Sequence, residues 1–176
     1  MRVISGKYRG MVLARFGGAE IRPTADRVKE SLFNILAAEI GGARVLDLFC
    51  GSGNLGIECI SRGAEHVAFN DISKDSIAVL RKNLSRLSER NYTVYNKDFR
   101  ACLSTCGQAD LIFIDPPYAS DAGVEALKII ANGNNLSDGG IAVYERDRPF
   151  TDEIVGLEVA DRRRYGKIHL TFFRKC

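Results

Sequence analysis

The chain has 176 residues, of which 45% are hydrophobic and 27% charged. This ordinary globular mixture excludes a disordered tail, and the length suits one compact unit better than two. The formal net charge is only +3, but residues 1–30 carry seven basic and three acidic side chains, against eighteen and nineteen in the remainder. A basic N-terminal segment on an otherwise near-neutral chain indicates a polyanionic partner such as nucleic acid. The alternative is a solvated surface segment, which would have the same composition.

The first elements in chain order are a short extension and a helix. Residues 1–25 predict a basic extension with strand-like segments at residues 2–4 and 11–14, separated by glycines. Residues 26–40 predict a helix, because Val28, Leu32, Leu36 and Ile40 recur on one face. The remainder, residues 26–176, is expected to form the core of a single unit.

From residue 44 onward, strands and helices alternate. Strands are predicted at residues 45–48, 66–70, 92–95, 110–114 and 141–144, and helices at residues 55–61, 75–87 and 121–130. Residues 155–160 and 167–173 alternate like two paired antiparallel strands. This order predicts an α/β fold with a mostly parallel sheet covered by helices on both faces. In such a sheet the ligand lies beyond the C-terminal strand ends, so function is expected in those loops.

The five cysteines and the lack of long apolar segments bear on location. The cysteines contain no CxxC pair, which is typical of reduced, mostly buried thiols and predicts neither a zinc site nor a disulfide framework. The sequence shows no signal peptide and no apolar run of membrane-spanning length. We therefore expect a cytoplasmic protein without a metal or a membrane partner, and a monomer.

A glycine loop follows the first core strand. Gly51, Gly53 and Gly56 match G-x-G-x-x-G, a pattern that lets the backbone approach a nucleotide-like cofactor closely. Asp71 lies twenty residues after Gly51, at the end of the next strand, where a carboxylate can accept hydrogen bonds from ribose hydroxyls. The pattern by itself fits a dinucleotide or S-adenosylmethionine.

Asp47 favours the second of these cofactors. It lies inside the apolar strand that precedes the loop, and a buried carboxylate needs a partner. The sulfonium and ammonium groups of S-adenosylmethionine suit a carboxylate, whereas a dinucleotide diphosphate would be repelled; a hydrogen bond that braces the loop is the structural alternative. Further on, Asp98 can accept from an adenine amine or merely cap a helix. The other cofactor residues expected in these loops are Phe49, Ser52, Ile72 and Phe99.

The sharpest motif ends the apolar strand at residues 111–114. Asp115 is followed by Pro116 and Pro117, which fix the backbone and remove two N–H donors, and then by the flat ring of Tyr118. Such a turn presents the Asp115 carboxylate and the Pro116 carbonyl as acceptors. Two acceptors can hold the hydrogens of an exocyclic base amine and free its lone pair for methyl transfer, while the tyrosine stacks on the extruded base.

The motifs together resemble a known family. The segment DLFCGSGNLGIE at residues 47–58 with DPPY at residues 115–118 resembles class I methyltransferases of exocyclic amines. The segments RVISGKYRG at residues 2–10 and RPTADRVKESLFNIL at residues 22–36 resemble the RsmD family, bacterial enzymes that methylate guanine N2 in small-subunit (16S) ribosomal RNA. The likeness covers nearly the whole chain and is looser after residue 155.

The resemblance implies a Rossmann-like, seven-stranded sheet, with S-adenosylmethionine as donor and ribosomal RNA, within the small subunit or its assembly intermediate, as partner. It places Asp47, Gly51, Gly53, Asp71 and Asp98 in the cofactor site and residues 115–118 in the catalytic loop. The cationic start of the first helix fits an RNA phosphate or the donor carboxylate, although surface ion pairs are the alternative. The expected substrate contacts are Lys7, Arg9, Arg22, Thr24 and Arg27.

Three alternatives remain open from the sequence. The first is methylation of another exocyclic amine, adenine N6 or cytosine N4, in RNA or DNA; the DNA enzymes usually carry a target-recognition domain for which this chain has no room. The second is a non-enzymatic RNA-binding module, and the third a nicotinamide-dependent oxidoreductase. The intact loops at residues 51–56 and 115–118 favour the methyltransferase.

Overall fold

The computed structural model of the chain describes residues 1–15, 23–117 and 120–175, with the backbone alone for residues 23–26. Its helices are α1 (Pro23–Ile35), α2 (Ala37–Ile40), α3 (Asn54–Ser61), α4 (Lys74–Leu84), α5 (Phe99–Leu103) and α6 (Ala122–Asn132). Its strands are β1 (Arg44–Asp47), β2 (His66–Asn70), β3 (Tyr92–Tyr95), β4 (Ala109–Ile114), β5 (Leu136–Arg146), β6 (Leu157–Tyr165) and β7 (Ile168–Lys175).

The seven strands form one sheet in the order β3-β2-β1-β4-β5-β7-β6. The first five strands in this order are parallel to one another, and β7 pairs antiparallel with both β5 and β6. The order reverses between β1 and β4, which is the switch point where ligands bind in open α/β sheets. The predicted Rossmann-like, mostly parallel seven-stranded fold is confirmed.

Apolar side chains alternate between the two faces of the central strands. Leu111 and Phe113 of β4 pack with α1, α3 and α4 in one cluster, whereas Ile112 and Ile114 pack with α5 and α6 in the other. A strand that is buried on both faces needs such a continuous apolar run. The helices therefore cover both faces of the sheet, and its C-terminal edge is left for the site.

The sequence analysis misjudged the helix at residues 26–40 and missed one short helix. The predicted single helix at residues 26–40 begins at Pro23, whose fixed φ suits a first helical turn, and it breaks at Leu36 into α1 and α2. The one-turn helix α5 was not predicted, because five residues are too few for a periodic pattern. None of the helices described is long and apolar enough to cross a membrane.

Residues 1–15, here called the N-terminal arm, fold back on themselves and dock on α3. Val3 donates to the carbonyl of Met11 (2.9 Å), and both Val3 and Leu13 are buried. The two predicted strand segments reduce to a single bridge between Arg2 and Val12. The backbone N–H groups that follow in the arm donate hydrogen bonds to side chains of α3 instead.

Candidate active site

The glycine loop is held at the C-terminal edge of the sheet by the strands on either side of β1. Leu48 donates to the carbonyl of Phe113 (3.1 Å) and Cys50 to that of Asn70 (2.9 Å). Gly51 then donates its N–H to Asp71 Oδ2 (2.9 Å). Gly51 has a φ of +52°, and a Cβ there would meet open space. The loop therefore offers bare backbone next to the Asp71 carboxylate, as a closely approaching ligand requires.

Asp47 is 2% exposed at the end of β1. Its Oδ2 accepts the Gly56 N–H (2.9 Å), so Asp47 braces the glycine loop against α3. Such a bracing hydrogen bond was the structural alternative in the sequence analysis. Burial raises the pKa of Asp47 to about 7; the Gly56 amide opposes this rise in pKa, and the charge of Asp71 adds to it. A cation bound nearby would stabilise the ionised form.

A first pocket, here called the Asp71 pocket, opens between the ends of β2 and β4 with a volume of about 480 Å³. Ile72 lines it and is 70% exposed, an unusual position for a large apolar side chain. Phe49 and Phe99 also line it, with ring centroids 5.5 Å apart. Its polar groups include the Asp71 and Asp98 carboxylates. Apolar surfaces beside carboxylates suit a flat ring that carries hydrogen-bond donors.

Asp98 caps α5. This is one of the two roles that the sequence allowed for it, the other being a contact to an adenine amine. Its Oδ1 accepts the Arg100 N–H (2.9 Å), and its carboxylate also pairs with the Arg100 side chain (3.2 Å). Both contacts hold the carboxylate at the rim of the Asp71 pocket. A carboxylate has about four acceptor positions, so the cap does not prevent a further hydrogen bond.

A second pocket, here called the Asp47 pocket, lies next to the first with a volume of about 260 Å³. Its walls combine residues of α1, the glycine loop and the ends of β4 and β5. The side chains that line it include Val28, Lys29, Leu32, Asp47, Asp115 and Glu145. The two pockets share Phe49, Gly51 and Asp115. One ligand can therefore extend from one pocket to the other past Gly51, with Asp115 at the junction.

Asp115 follows the last residue of β4. Burial raises the pKa of Asp115 well above its usual value, and the charges of Glu145 and Asp47 add to this effect. Pro117 lines the Asp71 pocket, and Pro116 and Pro117 border a smaller pocket beside Glu145. Tyr118 lies outside the described residues. The catalytic roles predicted for residues 115–118 stay predictions, but the position of Asp115 is suited to them.

The structure shows a buried charge network that the sequence analysis missed. Glu58 is fully buried on α3 and accepts from Lys29 Nζ (2.8 Å) and Arg62 Nε (2.9 Å). It also accepts the backbone N–H groups of Ile4 (2.8 Å) and Ser5 (3.0 Å) in the N-terminal arm. Burial opposes ionisation of Glu58, but Lys29 and the other donors outweigh it and lower the pKa. A lone glutamate inside the apolar run at residues 55–60 was the available signal.

Lys29 extends this network to the glycine loop, and Asn83 forms a separate buried link between the N-terminal arm and the same loop. Lys29, 3% exposed, also donates to the carbonyl of Arg2 (3.0 Å) and to Asn54 Oδ1 (2.9 Å). Asn83 is fully buried, and its Nδ2 donates to the carbonyls of Ala14 (3.1 Å) and Ser52 (2.9 Å). The N-terminal arm is thus fixed to the loop that shapes the candidate cofactor site.

Three of the five predicted substrate residues are exposed in the described part of the chain. Lys7 is 59% exposed and pairs with Glu89, while Arg9 and Arg27 are exposed. Arg22 and the side chain of Thr24 lie outside the described part of the chain. The structure therefore leaves these predicted RNA contacts as predictions.

Comparison with known proteins decides the family. Residues 1–174 match the family model described as Conserved hypothetical protein 95. The chain belongs to this family, the RsmD family. YlbH of Bacillus subtilis is 38% identical over 182 residues, covering 99% of both chains. The protein from Haemophilus influenzae named ribosomal RNA small subunit methyltransferase D is 35% identical over 156 residues, covering 85% of this chain and 81% of its own.

Solved structures agree with the family assignment. The structure of yhhF from Escherichia coli superposes with a TM-score of 0.88 at 30% identity, covering 99% of this chain and 97% of its own. Because the match to this solved structure extends over nearly the whole chain, the N-terminal arm and strands β6 and β7 are part of the shared architecture. Membership in the RsmD family confirms the family and fold predicted from residues 2–10, 22–36, 47–58 and 115–118.

Proposed function

We propose that this RsmD-family protein transfers the methyl group of S-adenosylmethionine to the N2 amine of a guanine in small-subunit (16S) ribosomal RNA. The observation that carries the proposal is the position of Asp115 at the junction of the Asp71 and Asp47 pockets. An acceptor at that point faces the space where a donor lying across both pockets would meet a base. S-adenosylmethionine, when bound, supplies an electrophilic methyl group on a cationic sulfur.

The residues of the two pockets fit this donor. Asp71 would accept from the ribose hydroxyls, and Ile72 and Phe99 would pack on the adenine ring, with Asp98 near its amine. Asp47, whose pKa is raised by burial, would be stabilised in its ionised form by the cationic methionine end. The open backbone at Gly51 leaves room for the ligand between the two pockets.

Asp115 would act on the target amine. The nitrogen lone pair of an exocyclic base amine is delocalised into the ring, so the amine is a weak nucleophile. An acceptor that holds an amine hydrogen out of the ring plane localises the lone pair. It also stabilises the positive charge that develops on nitrogen as the bond to carbon forms and the carbon–sulfur bond of the donor breaks; the amine proton is lost during or after transfer. The Pro116 carbonyl is the second acceptor that we expect, and Tyr118 is expected to stack on the extruded base.

The ribosomal substrate is supported by the relatives and by the charge distribution. The Haemophilus influenzae relative is named as a small-subunit ribosomal RNA methyltransferase. The N-terminal arm carries exposed cations such as Lys7 and Arg9, which suit the phosphate backbone of RNA. We propose that the arm and the start of α1 contact RNA beside the pocket mouth.

Transfer of labelled methyl groups tests the proposal directly. The protein is incubated with labelled S-adenosylmethionine and either bare 16S ribosomal RNA or small-subunit particles, both from cells that lack the corresponding enzyme. The RNA is then digested to nucleosides. Label in N2-methylguanosine supports the proposal. Label only in N6-methyladenosine or N4-methylcytidine, or no label with any of these substrates while the donor binds, contradicts it.

A further inference from the structure

The end of the β6–β7 hairpin carries a second concentration of positive charge. Residues 162–169, here called the basic hairpin end, include no acidic residue, and five of the eight are basic: Arg162, Arg163, Arg164, Lys167 and His169. The three arginines and Lys167 are exposed. Arg163 forms an ion pair with Asp161, which precedes the segment (2.9 Å). The excess positive charge therefore comes from Arg162, Arg164 and Lys167.

The basic hairpin end lies at the same edge of the sheet as the candidate active site. Strand β7 runs antiparallel to β5, with His169 opposite Arg146 at the C-terminal end of β5. The turn that joins β6 to β7 therefore projects past the edge where the glycine loop and Asp115 lie. Ile168, the first residue of β7, lines the Asp47 pocket. A nucleotide bound in this pocket would lie beside the basic hairpin end.

Three basic side chains form a row across β5, β7 and β6. His169 lies opposite Arg146 on one side and opposite Arg164 on the other. Residues directly opposite each other on neighbouring strands point to the same face of a sheet. The Arg146 guanidinium lies 5.6 Å from the ring centroid of Tyr144, which packs on the face covered by α5 and α6. The row therefore lies on that face.

The first member of the row borders the candidate catalytic loop. Arg146 lines the smaller pocket together with Pro116 and Pro117. Asp121 and Glu145 are also in the walls of this pocket, so the uncompensated positive charge begins beyond Arg146, on β7 and β6. A strand of RNA that leaves the catalytic loop in this direction would meet cations spread over the two outer strands.

We propose that the basic hairpin end is a docking surface for RNA, on which Arg162, Arg164 and Lys167 bind phosphates that flank the nucleotide held in the candidate active site. The inference rests on the proposed function, because it names a further surface for the same RNA substrate. Arg164 Nε donates to the Gly166 carbonyl (3.1 Å), which holds the side chain at the turn. A guanidinium has five N–H donors, so this contact leaves donors for a phosphate. Such contacts position RNA without reading its sequence.

The salt dependence of RNA affinity tests the surface without any methyl transfer. Affinity for 16S ribosomal RNA is measured over a range of salt concentrations with S-adenosylhomocysteine bound. Arg164→Gln/Lys167→Gln removes two cations and should flatten the plot of log affinity against log salt by about 1.4–1.8, at about 0.7–0.9 for each phosphate. Between about 50 and 200 mM salt, the wild type should therefore lose about 7- to 12-fold more affinity than the variant.

Two further double variants separate a phosphate contact from a general effect of charge. Arg81→Gln/Lys82→Gln also removes one arginine and one lysine, at exposed positions near the end of α4. This helix runs back from the end of β2 toward the start of β3, so both residues lie near the opposite edge of the sheet. Its slope should equal that of the wild type. Arg164→Lys/Lys167→Arg keeps both charges and should also keep the slope.

Methyl transfer distinguishes RNA docking from a catalytic role. Arg164→Gln/Lys167→Gln should need more RNA to reach half of its maximal single-turnover rate, but its rate at saturating RNA and its donor affinity should match the wild type. Donor affinity also checks that the variant is folded. Should the double variant fail to fold, Lys167→Gln in the exposed turn decides, with half the expected change in slope.

A slope in Arg164→Gln/Lys167→Gln equal to that of the wild type or of Arg81→Gln/Lys82→Gln would overturn the docking surface while leaving guanine methylation intact. If the wild type binds the RNA but produces no N2-methylguanosine, the proposed function fails, and the slopes still decide whether the basic hairpin end contacts phosphates. A wild-type protein that does not bind the RNA would overturn both.

Discussion

Lys29 and Glu58 form an ion pair of 2.8 Å in which the side chains are 3% and 0% exposed. Removing one partner of a buried pair leaves an uncompensated charge and costs about 3–5 kcal/mol. We expect Glu58→Ala to lower the free energy of unfolding by about this amount in urea titrations. The double variant Lys29→Met/Glu58→Leu should be closer to the wild type. A double variant less stable than Glu58→Ala would contradict this account.

The raised pKa of Asp47 predicts how stability depends on pH. The pKa of Asp47 is about 7 in the folded chain against a usual 3.8, so between these values the folded state binds one more proton than the unfolded state. Stability is therefore lost as pH rises through this window. Asp47→Asn keeps an acceptor for Gly56 and should be more stable than the wild type at pH 8, but not at pH 3. Equal stabilities at pH 8 would contradict the prediction. Asp75→Asn, at an exposed position, is the control.

The same carboxyl predicts pH-dependent donor binding. A cationic ligand favours ionised Asp47, so the affinity for S-adenosylmethionine should fall as pH drops below about 7, approaching tenfold per pH unit. Asp47→Asn should bind more weakly at pH 8 and lose most of this slope. Calorimetry between pH 5.5 and 8 measures both. A slope in Asp47→Asn equal to that of the wild type would assign the titration to another group.

Asp71 is expected to bind the ribose of the donor. Asp71→Ala should weaken binding of S-adenosylhomocysteine by about 1.5–3 kcal/mol, the range for hydrogen bonds to a charged group. Because Asp71 also holds Gly51 and Ser73, Asp71→Asn is the sharper variant: it keeps one acceptor for the loop and should lose less. Asp75→Ala is the matched exposed control, and unchanged calorimetric affinity in Asp71→Ala would remove the ribose assignment.

Asp115 variants distinguish an acceptor from a general base. Asp115→Ala should reduce single-turnover methyl transfer steeply while donor affinity stays near that of the wild type. Asp115→Asn keeps a carbonyl acceptor and should retain more activity than alanine. If Asp115→Asn is as inactive as Asp115→Ala, Asp115 acts as a general base instead. Full activity in Asp115→Ala would show that the loop has only a structural role.

Tyr118 carries a separate prediction about stacking on the target base. Tyr118→Phe keeps the aromatic face and should be tolerated, whereas Tyr118→Ala should lose about 1–3 kcal/mol of base binding. Methylation rates at subsaturating RNA measure the difference. If Tyr118→Phe is as inactive as Tyr118→Ala, the hydroxyl group is required, and stacking on the base does not explain the role of Tyr118.

The exposed cations of the N-terminal arm predict a salt-dependent RNA affinity. Lys7→Gln/Arg9→Gln should weaken RNA binding and flatten the plot of log affinity against log salt by about 0.7–0.9 for each phosphate that is no longer neutralised. Donor affinity should persist. Lys128→Gln, at an exposed position on α6, is the control. A slope equal to that of the wild type would show that the arm does not touch phosphates.

The sequence by itself determined the family, the sheet and the loops in which the site lies. Strand periodicity and glycine spacing are local properties, and in a parallel sheet they fix which loops meet at the C-terminal edge. Asp47, Asp71 and Asp115 could be predicted as site residues because each lies at the end of an apolar strand. Glu145 also follows an apolar segment, at residues 141–144, but the sequence analysis did not identify it as a site residue.

Only the tertiary structure decided which polar groups are partners. Glu58 and Lys29 lie on different helices, and Asn83 joins Ala14 to Ser52 across 69 and 31 positions of the chain. No local pattern encodes such pairings, because they depend on how helices pack across the sheet. The junction of the two pockets at Asp115 also depends on packing and is not encoded by a local pattern. Sequence periodicity places a residue at the edge of the sheet, whereas packing decides what it faces.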